Sequence, residues 1–156
     1  TKNLFGTMGK ATYVGKTGSG QVAKLANQAI VGITIGAVSE ALILSKAAGA
    51  DPKAVREAIK TGFAGSPILE NHGKRILENN FKPGGKCSTQ LKDMNNIVET
   101  AKNYKVHLPL SEKIKKLYAL MVKQGKSNLD HSALYLLLKR LKKYWPIYRL
   151  VFKYLY

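Results

Sequence analysis

The sequence is poor in cysteine, in acid and in long apolar runs. One cysteine, Cys87, in 156 residues excludes an intramolecular disulfide and any cysteine-built zinc cluster. The apolar stretch Ala29 to Val38 is ten residues long. A bilayer span needs about 20, so the stretch is expected to be a buried core helix. Thr1 to Lys10 is polar and glycine-containing, without the apolar centre of a secretory signal, and a cytoplasmic location is the expectation. The alternation and glycine fingerprint of a dinucleotide-binding sheet are missing too: there is no GxGxxG and no second strand.

What remains is a globular composition, with 45% hydrophobic and 22% charged residues, at a length that predicts one domain. Against 9 acids stand 26 lysines and arginines, a net charge of +17. Such a balance suits nucleic acid, an anionic membrane or a phosphorylated ligand. Only Arg56, Arg75, Arg140 and Arg149 are arginines, however, and base or phosphate readout favours the planar guanidinium over a hydrated ammonium. The lysines are scattered along the whole chain. A solvated, lysine-biased surface is therefore preferred to specific nucleic-acid recognition, and a non-catalytic basic module for nucleic acid or anionic membrane is the alternative.

Punctuation along the chain is helical. Thr1 to Gly20 reads as an extended, glycine-rich lead-in with a strand-like stretch at Ala11 to Val14. A long helix is expected from about Gln21 to Ala48. Gly32 and Gly36 lie on one of its faces, a spacing that permits close helix approach. Asp51-Pro52 and Ser66-Pro67 each pair an N-cap with proline in the first turn. The first of these helices closes at Gly62 and the second near Asn79-Asn80. Lys82 to Gly85 is a loop and places Cys87 in a loop as well. Gln90 to Tyr104 carries Leu91, Met94, Ile97, Val98 and Ala101 at helical spacing, and Pro109 opens a helix ending at Gly125, with Leu110, Ile114, Leu117, Tyr118 and Met121 on its apolar face. Asp130 is placed to cap a last helix, Ser132 to Lys143. The fold class is all-α.

Chemistry concentrates at the start of the long helix. Gly18-Ser19-Gly20 opens it, and free amides there would face an anion. Lys24, Asn27 and Gln28 follow on one face. A lysine backed by the apolar run would be desolvated, and so able to exchange a proton with a hydroxyl or carbonyl. The bland reading of Lys24 is a snorkelling surface lysine, and of Asn27 and Gln28, polar residues that tie down a neighbouring helix. His72, His107 and His131 are far apart in sequence and show no metal-ligand spacing, so no metal site is expected.

The string Gly15-x-x-Gly18-x-Gly20-Gln21-x-x-Lys24-Leu25-Ala26-Asn27-Gln28 resembles the start of the C-terminal domain of the β-hydroxyacid dehydrogenases, the family of 3-hydroxyisobutyrate dehydrogenase and tartronate semialdehyde reductase (2-hydroxy-3-oxopropionate reductase). The resemblance continues in order through Ser39-Glu40-Ala41-Leu42, Lys46 to Gly49, Gly62 to Ser66, Phe81 to Gly84, Lys92-Asp93, Leu108 to Leu110 and Asp130 to Leu134. It spans about Asn3 to Leu138. It implies a helical substrate domain that follows a Rossmann domain in the full enzyme. Lys24 would be the catalytic acid/base, with Asn27 or Gln28 orienting a small hydroxyacid substrate beside Gly18, Ser19 and Gly20. Lys92 would contact NAD or NADP, with Asp93 beside it. The Gly62 to Ser66 segment is nearest to tartronate semialdehyde reductases. Self-association through the long helix, as a homo-oligomer, is a further implication.

Two departures accompany the resemblance. The sequence begins near the interdomain segment, so a Rossmann half is expected in cis or in trans. Gly85 stands where the family usually has an aromatic residue. The expected organisation is a lead-in over 1–20, a helical substrate and dimerisation domain over 21–138, and an atypical basic-aromatic tail over 139–156. That tail carries no acid and is broken by Pro146; a non-native or frame-altered end is the preferred expectation for it, with an anionic membrane surface or a subunit interface as alternatives.

Overall fold

The computed structural model describes residue 9 and residues 11–141; the tail expected over 139–156 lies almost wholly outside them. Among these described residues six α-helices follow in chain order: α1 (Ser19–Ala47), α2 (Pro52–Ile59), α3 (Pro67–Leu77), α4 (Cys87–Asn103), α5 (Pro109–Lys123) and α6 (Leu134–Leu141), the last entered through a 3₁₀ turn, His131–Ala133. Among the described residues there is no strand, only one isolated bridge between Lys86 and Asp130. Ala11 to Val14 is exposed and irregular, which corrects the strand-like expectation. With no partner strand, alternation alone has nothing to pair with.

The caps explain where the helices start. Asp51 accepts from Lys53 N at 3.0 Å, and Ser66 accepts from Leu69 N at 3.1 Å, each with proline in the first turn. Helix α1 starts without a side-chain cap. Gly18 takes its N-cap position at φ 94°, a left-handed conformation that a Cβ would disfavour.

Helix α1 touches every other helix. By length and composition it could cross a membrane, but that apolarity is what a central helix packed on several sides requires. Its small-residue stripe faces inward. A Cβ on Gly32 would stand 2.8 Å from Gln90 Nε2 and 3.1 Å from Met94 Sδ, and one on Gly36 would stand 2.9 Å from Ile114 Cδ1. The two glycines therefore admit α4 and α5 of the same chain. They are buried and do not supply the self-association surface expected of them. Ile35, Met94, Ile97, Ile114, Tyr118 and Leu134 form the main core, and Val38, Leu42, Leu69, Ile76 and Tyr135 a second one. Leu110, expected on the apolar face of α5, is exposed.

The loop before α4 is clasped to the loop before α6. Asp130 N donates to Phe81 O at 3.0 Å, His131 N to Gly85 O at 2.7 Å and Cys87 N to Leu129 O at 2.9 Å. Between them the Asp130 side chain is wholly buried. Its Oδ2 accepts from Gly84 N at 2.9 Å and Gly85 N at 3.2 Å, and its Oδ1 from Ser132 N at 3.0 Å and Ser132 Oγ at 2.6 Å. Arg75 Nη1 stands 3.7 Å from Oδ2. Burial alone would raise the carboxyl. The bonds from Ser132, Gly84 and Gly85 outweigh it and hold Asp130 below the usual carboxylate range. Asp130 thus caps the 3₁₀ turn, as expected of it, and also fixes the preceding loop.

Cys87 is not in a loop. It is the first residue of α4 and wholly buried, its thiol donating to Asp130 O at 3.4 Å. Burial, reinforced by the Asp130 charge, pushes the thiol up to about 12.

Asp130→Ala leaves two glycine amides, the Ser132 amide and its hydroxyl without their acceptor. It is expected to cost about 3 kcal/mol of unfolding free energy, measured by urea denaturation; a loss below about 1 kcal/mol would contradict the clasp. At pH 8 the thiolate fraction of Cys87 is on the order of 1 in 10,000. Iodoacetamide is expected to leave the folded chain unmodified and to add one carbamidomethyl group after denaturation, read by mass spectrometry. Labelling of the folded chain at the denatured rate would contradict that burial.

Candidate functional site

Of the residues singled out at the start of α1 and on α4, Asn27, Gln28 and Asp93 meet at one place. Gln28 Nε2 donates to Asp93 Oδ2 at 2.5 Å, a half-buried bond that joins α1 to α4. Asn27 Nδ2 donates to Gln28 Oε1 at 3.1 Å, so Gln28 is held from both sides of its amide. Lys24 lies one helical turn before Gln28 on the same face, and Lys92 precedes Asp93 at the start of α4. Both lysines are exposed. Within this chain, the desolvation expected for Lys24 from the apolar run is not supplied.

Beneath Gln28 a second bond ties the same helices. Gln90, 1% exposed, donates from Nε2 to Gln28 O at 3.3 Å. Gly32 leaves the room for it, one turn further along α1. Gln90 is a positioning residue that the sequence reading missed. A polar residue on the apolar face of α4, beside Met94 and Ile97, was the available signal.

The glycine-rich entry is partly spent on its own turn. Ser19 N donates to Lys16 O, and Gln21 N and Val22 N donate to Gly18 O, so fewer amides face outward than expected. Ser19 lines an open cavity of about 440 Å³ with Val14, Val22, Ala23 and Tyr104. Gly18 and Gly20 flank it, whereas Lys24, Asn27 and Gln28 do not line it.

On the other side of Gln90 the chain places two histidines in contact. His131 Nδ1 is 3.2 Å from Gln90 Oε1 and its Nε2 is 3.1 Å from His72 Nε2. The rings are edge to face with centroids 4.6 Å apart. Burial, with His72 and Arg75 nearby, brings His131 down to about 4, and burial lowers His72 as well. His131 also explains Gly85. A Cβ there would sit 3.0 to 3.3 Å from its ring atoms, so the imidazole crowds the space an aromatic residue would need.

Residues 18–138 match the family described as the NAD-binding domain of NADP-dependent 3-hydroxyisobutyrate dehydrogenase. The chain is 46% identical over 134 residues to the 2-hydroxy-3-oxopropionate reductase of Escherichia coli strain K12, covering 85% of this chain and 46% of that protein. It is 38% identical over 138 residues to a probable mitochondrial 3-hydroxyisobutyrate dehydrogenase-like protein of Arabidopsis thaliana, covering 88% and 41%. It therefore spans about half the length of these relatives or less. In fold it superimposes on the 3-hydroxyisobutyrate dehydrogenase of Salmonella typhimurium with a TM-score of 0.80 at 22% identity, covering 87% of this chain and 48% of that one. Helix order, the Lys24 to Gln28 face and its bond to the Lys92-Asp93 pair stand inside the matched region. The chain belongs to the 3-hydroxyisobutyrate dehydrogenase family.

Proposed function

We propose that the chain is the proton-transfer and substrate-orienting part of an NAD(P)-dependent dehydrogenase acting on a small β-hydroxyacid or its semialdehyde. Tartronate semialdehyde and glycerate are the favoured pair, and 3-hydroxyisobutyrate is the alternative. The observation that carries this reading is the Gln28 to Asp93 bond, because it brings the Lys24 turn and the Lys92-Asp93 pair into one surface.

Each residue has a task that its chemistry suits. Lys24 gives a proton to the substrate's carbonyl oxygen on reduction and takes it back on oxidation. Gln28 and Asn27, coupled to each other and to Asp93, hold polar groups of the substrate. Gly18 to Gly20 leave the backbone free to approach a carboxylate. The nicotinamide, when bound, supplies or accepts the hydride. Lys92, an exposed cation at the head of α4, fits a contact with the cofactor's anionic part. The rest of the cofactor's cradle has no counterpart among the described residues, which hold no strand–glycine–helix unit.

Exposure of Lys24 then has a use. An amine in bulk water is a poor acid/base near neutral pH; covering it by a nucleotide-binding half would remove that water and strengthen every charge in the site.

Supplying the part of the Escherichia coli relative that this chain does not match, by fusion or in trans, should give reduction of tartronate semialdehyde followed as NAD(P)H consumption. Lys24→Ala is expected to lower kcat by about 10²- to 10⁴-fold with unchanged circular dichroism. Unchanged turnover in that variant would overturn the assignment.

A further inference from the structure

The pair His72 and His131 has no task in the proposed reaction, and its geometry is unusual. Gln90 spends its Nε2 on Gln28 O, so its oxygen is the group facing His131 Nδ1 at 3.2 Å. An oxygen acceptor requires the proton on Nδ1, which leaves His131 Nε2 as a bare lone pair. That lone pair faces Nε2 of a second imidazole at 3.1 Å. A carbonyl behind the distal nitrogen is the arrangement that fixes metal-ligating histidines, because it sets tautomer and ring direction together.

The distances fit a cation. With metal–nitrogen bonds of about 2.05 Å, two nitrogens 3.1 Å apart subtend about 100° at the metal, between the octahedral and tetrahedral values. Asp130 has a carboxylate oxygen within 4.8 Å of the imidazole ligand atoms. Both of its carboxylate oxygens already accept from Gly84, Gly85 and Ser132, so Asp130 acts on the cation by its charge. Arg75, 3.7 Å from Asp130, offsets part of that charge. The other nitrogen of His72, Nδ1, is buried and without a hydrogen-bond partner, so neither tautomer of this ring is fixed by a bond behind it.

We propose that His72 and His131 form a binding site for a first-row transition-metal dication, held by the two Nε2 atoms, with Asp130 as the nearby counter-charge. Nitrogen ligands select Cu²⁺, Ni²⁺, Zn²⁺ and Co²⁺; Mg²⁺ and Ca²⁺ require oxygen and are not taken. Binding moves the His72 proton from Nε2 to Nδ1 and leaves both rings neutral, so no oxidation state changes. The metal would pin α3 to the turn before α6, across the loop that Asp130 clasps.

The test uses the full chain, stripped with EDTA. Titration with Ni²⁺ and with Zn²⁺ is expected to show one saturable site and to raise Tm by about 4 °C or more at saturating metal. EDTA should reverse the rise, and Mg²⁺ should not produce it. His72→Gln is expected to weaken binding about 10-fold or more, whereas His107→Gln, at an exposed histidine remote in sequence, is expected to leave it unchanged. The absence of saturable binding at millimolar metal, or equal affinity in His72→Gln, would overturn the site and leave the pair as an N–H to N hydrogen bond. Long-range ¹H–¹⁵N spectra of the unmutated chain decide the matter whatever the variant does to folding. Zn²⁺ should shift Nε2 of His72 and of His131 together, and unmoved resonances would also overturn the site.

Discussion

A single buried carboxylate organises the C-terminal half. Asp130 is taken wholly out of water, a position a carboxylate tolerates only when its lone pairs are filled. Gly84, Gly85 and Ser132 fill them from two directions, so the loop before α4 cannot move independently of the turn before α6. Two later features follow from this. Position 85 is held against the His131 ring and has little room for a side chain. Helix α4 begins at Cys87, inside the clasp, rather than further along where its apolar periodicity becomes readable.

From that clasp the order passes inward by contact. His131 stands against Gln90, Gln90 against the Gln28 carbonyl, and Gln28 against Asp93. Each step is a hydrogen bond whose other partner is also engaged, so the amide of Gln28 has little freedom to rotate. Glycine at position 32 is the condition for this arrangement, since a Cβ there would stand 2.8 Å from the Gln90 amide nitrogen. The small residue that looks like a contact for another subunit serves instead to let α4 reach the site.

Much of this was legible in the sequence because helix signals are local. Pro52, Pro67 and Pro109 each begin a helix, Asp51 and Ser66 cap where expected, and α1 differs from its expected start by only two residues. The Lys24 to Gln28 face could be read from spacing and the Lys92-Asp93 pair from the family resemblance, but not the bond from Gln28 to Asp93 that joins them. What could not be read depends on contacts distant in the chain. Cys87 looks like a loop residue because Lys82 to Gly85 precedes it, and only pairing with Leu129 and Asp130 turns it into a buried helix start. His72 and His131, 59 residues apart, share no motif; the clasp brings them together. Leu110 matched the apolar period of α5 and is exposed, because periodicity marks a face without saying how far the neighbouring helix covers it.

The distribution of solvent completes the picture. Gln28, Asp93 and Gln90 are at least half buried and mutually bonded, whereas Lys24 and Lys92, the two cations of the same surface, are exposed. Partial order of this kind suits a surface designed to be closed from outside. The orienting groups must be rigid before a ligand arrives, since their value lies in geometry held in advance. The amine proposed for proton transfer needs the opposite history. Burying it permanently in a chain of net charge +17 would cost desolvation with little to compensate it. Desolvating it only when an anionic nucleotide and substrate cover the face brings the compensating charge at the same moment. Under the proposed function the helical domain keeps its amides fixed and its lysines wet, and the dry environment that the chemistry requires would come from a nucleotide-binding half docked on it.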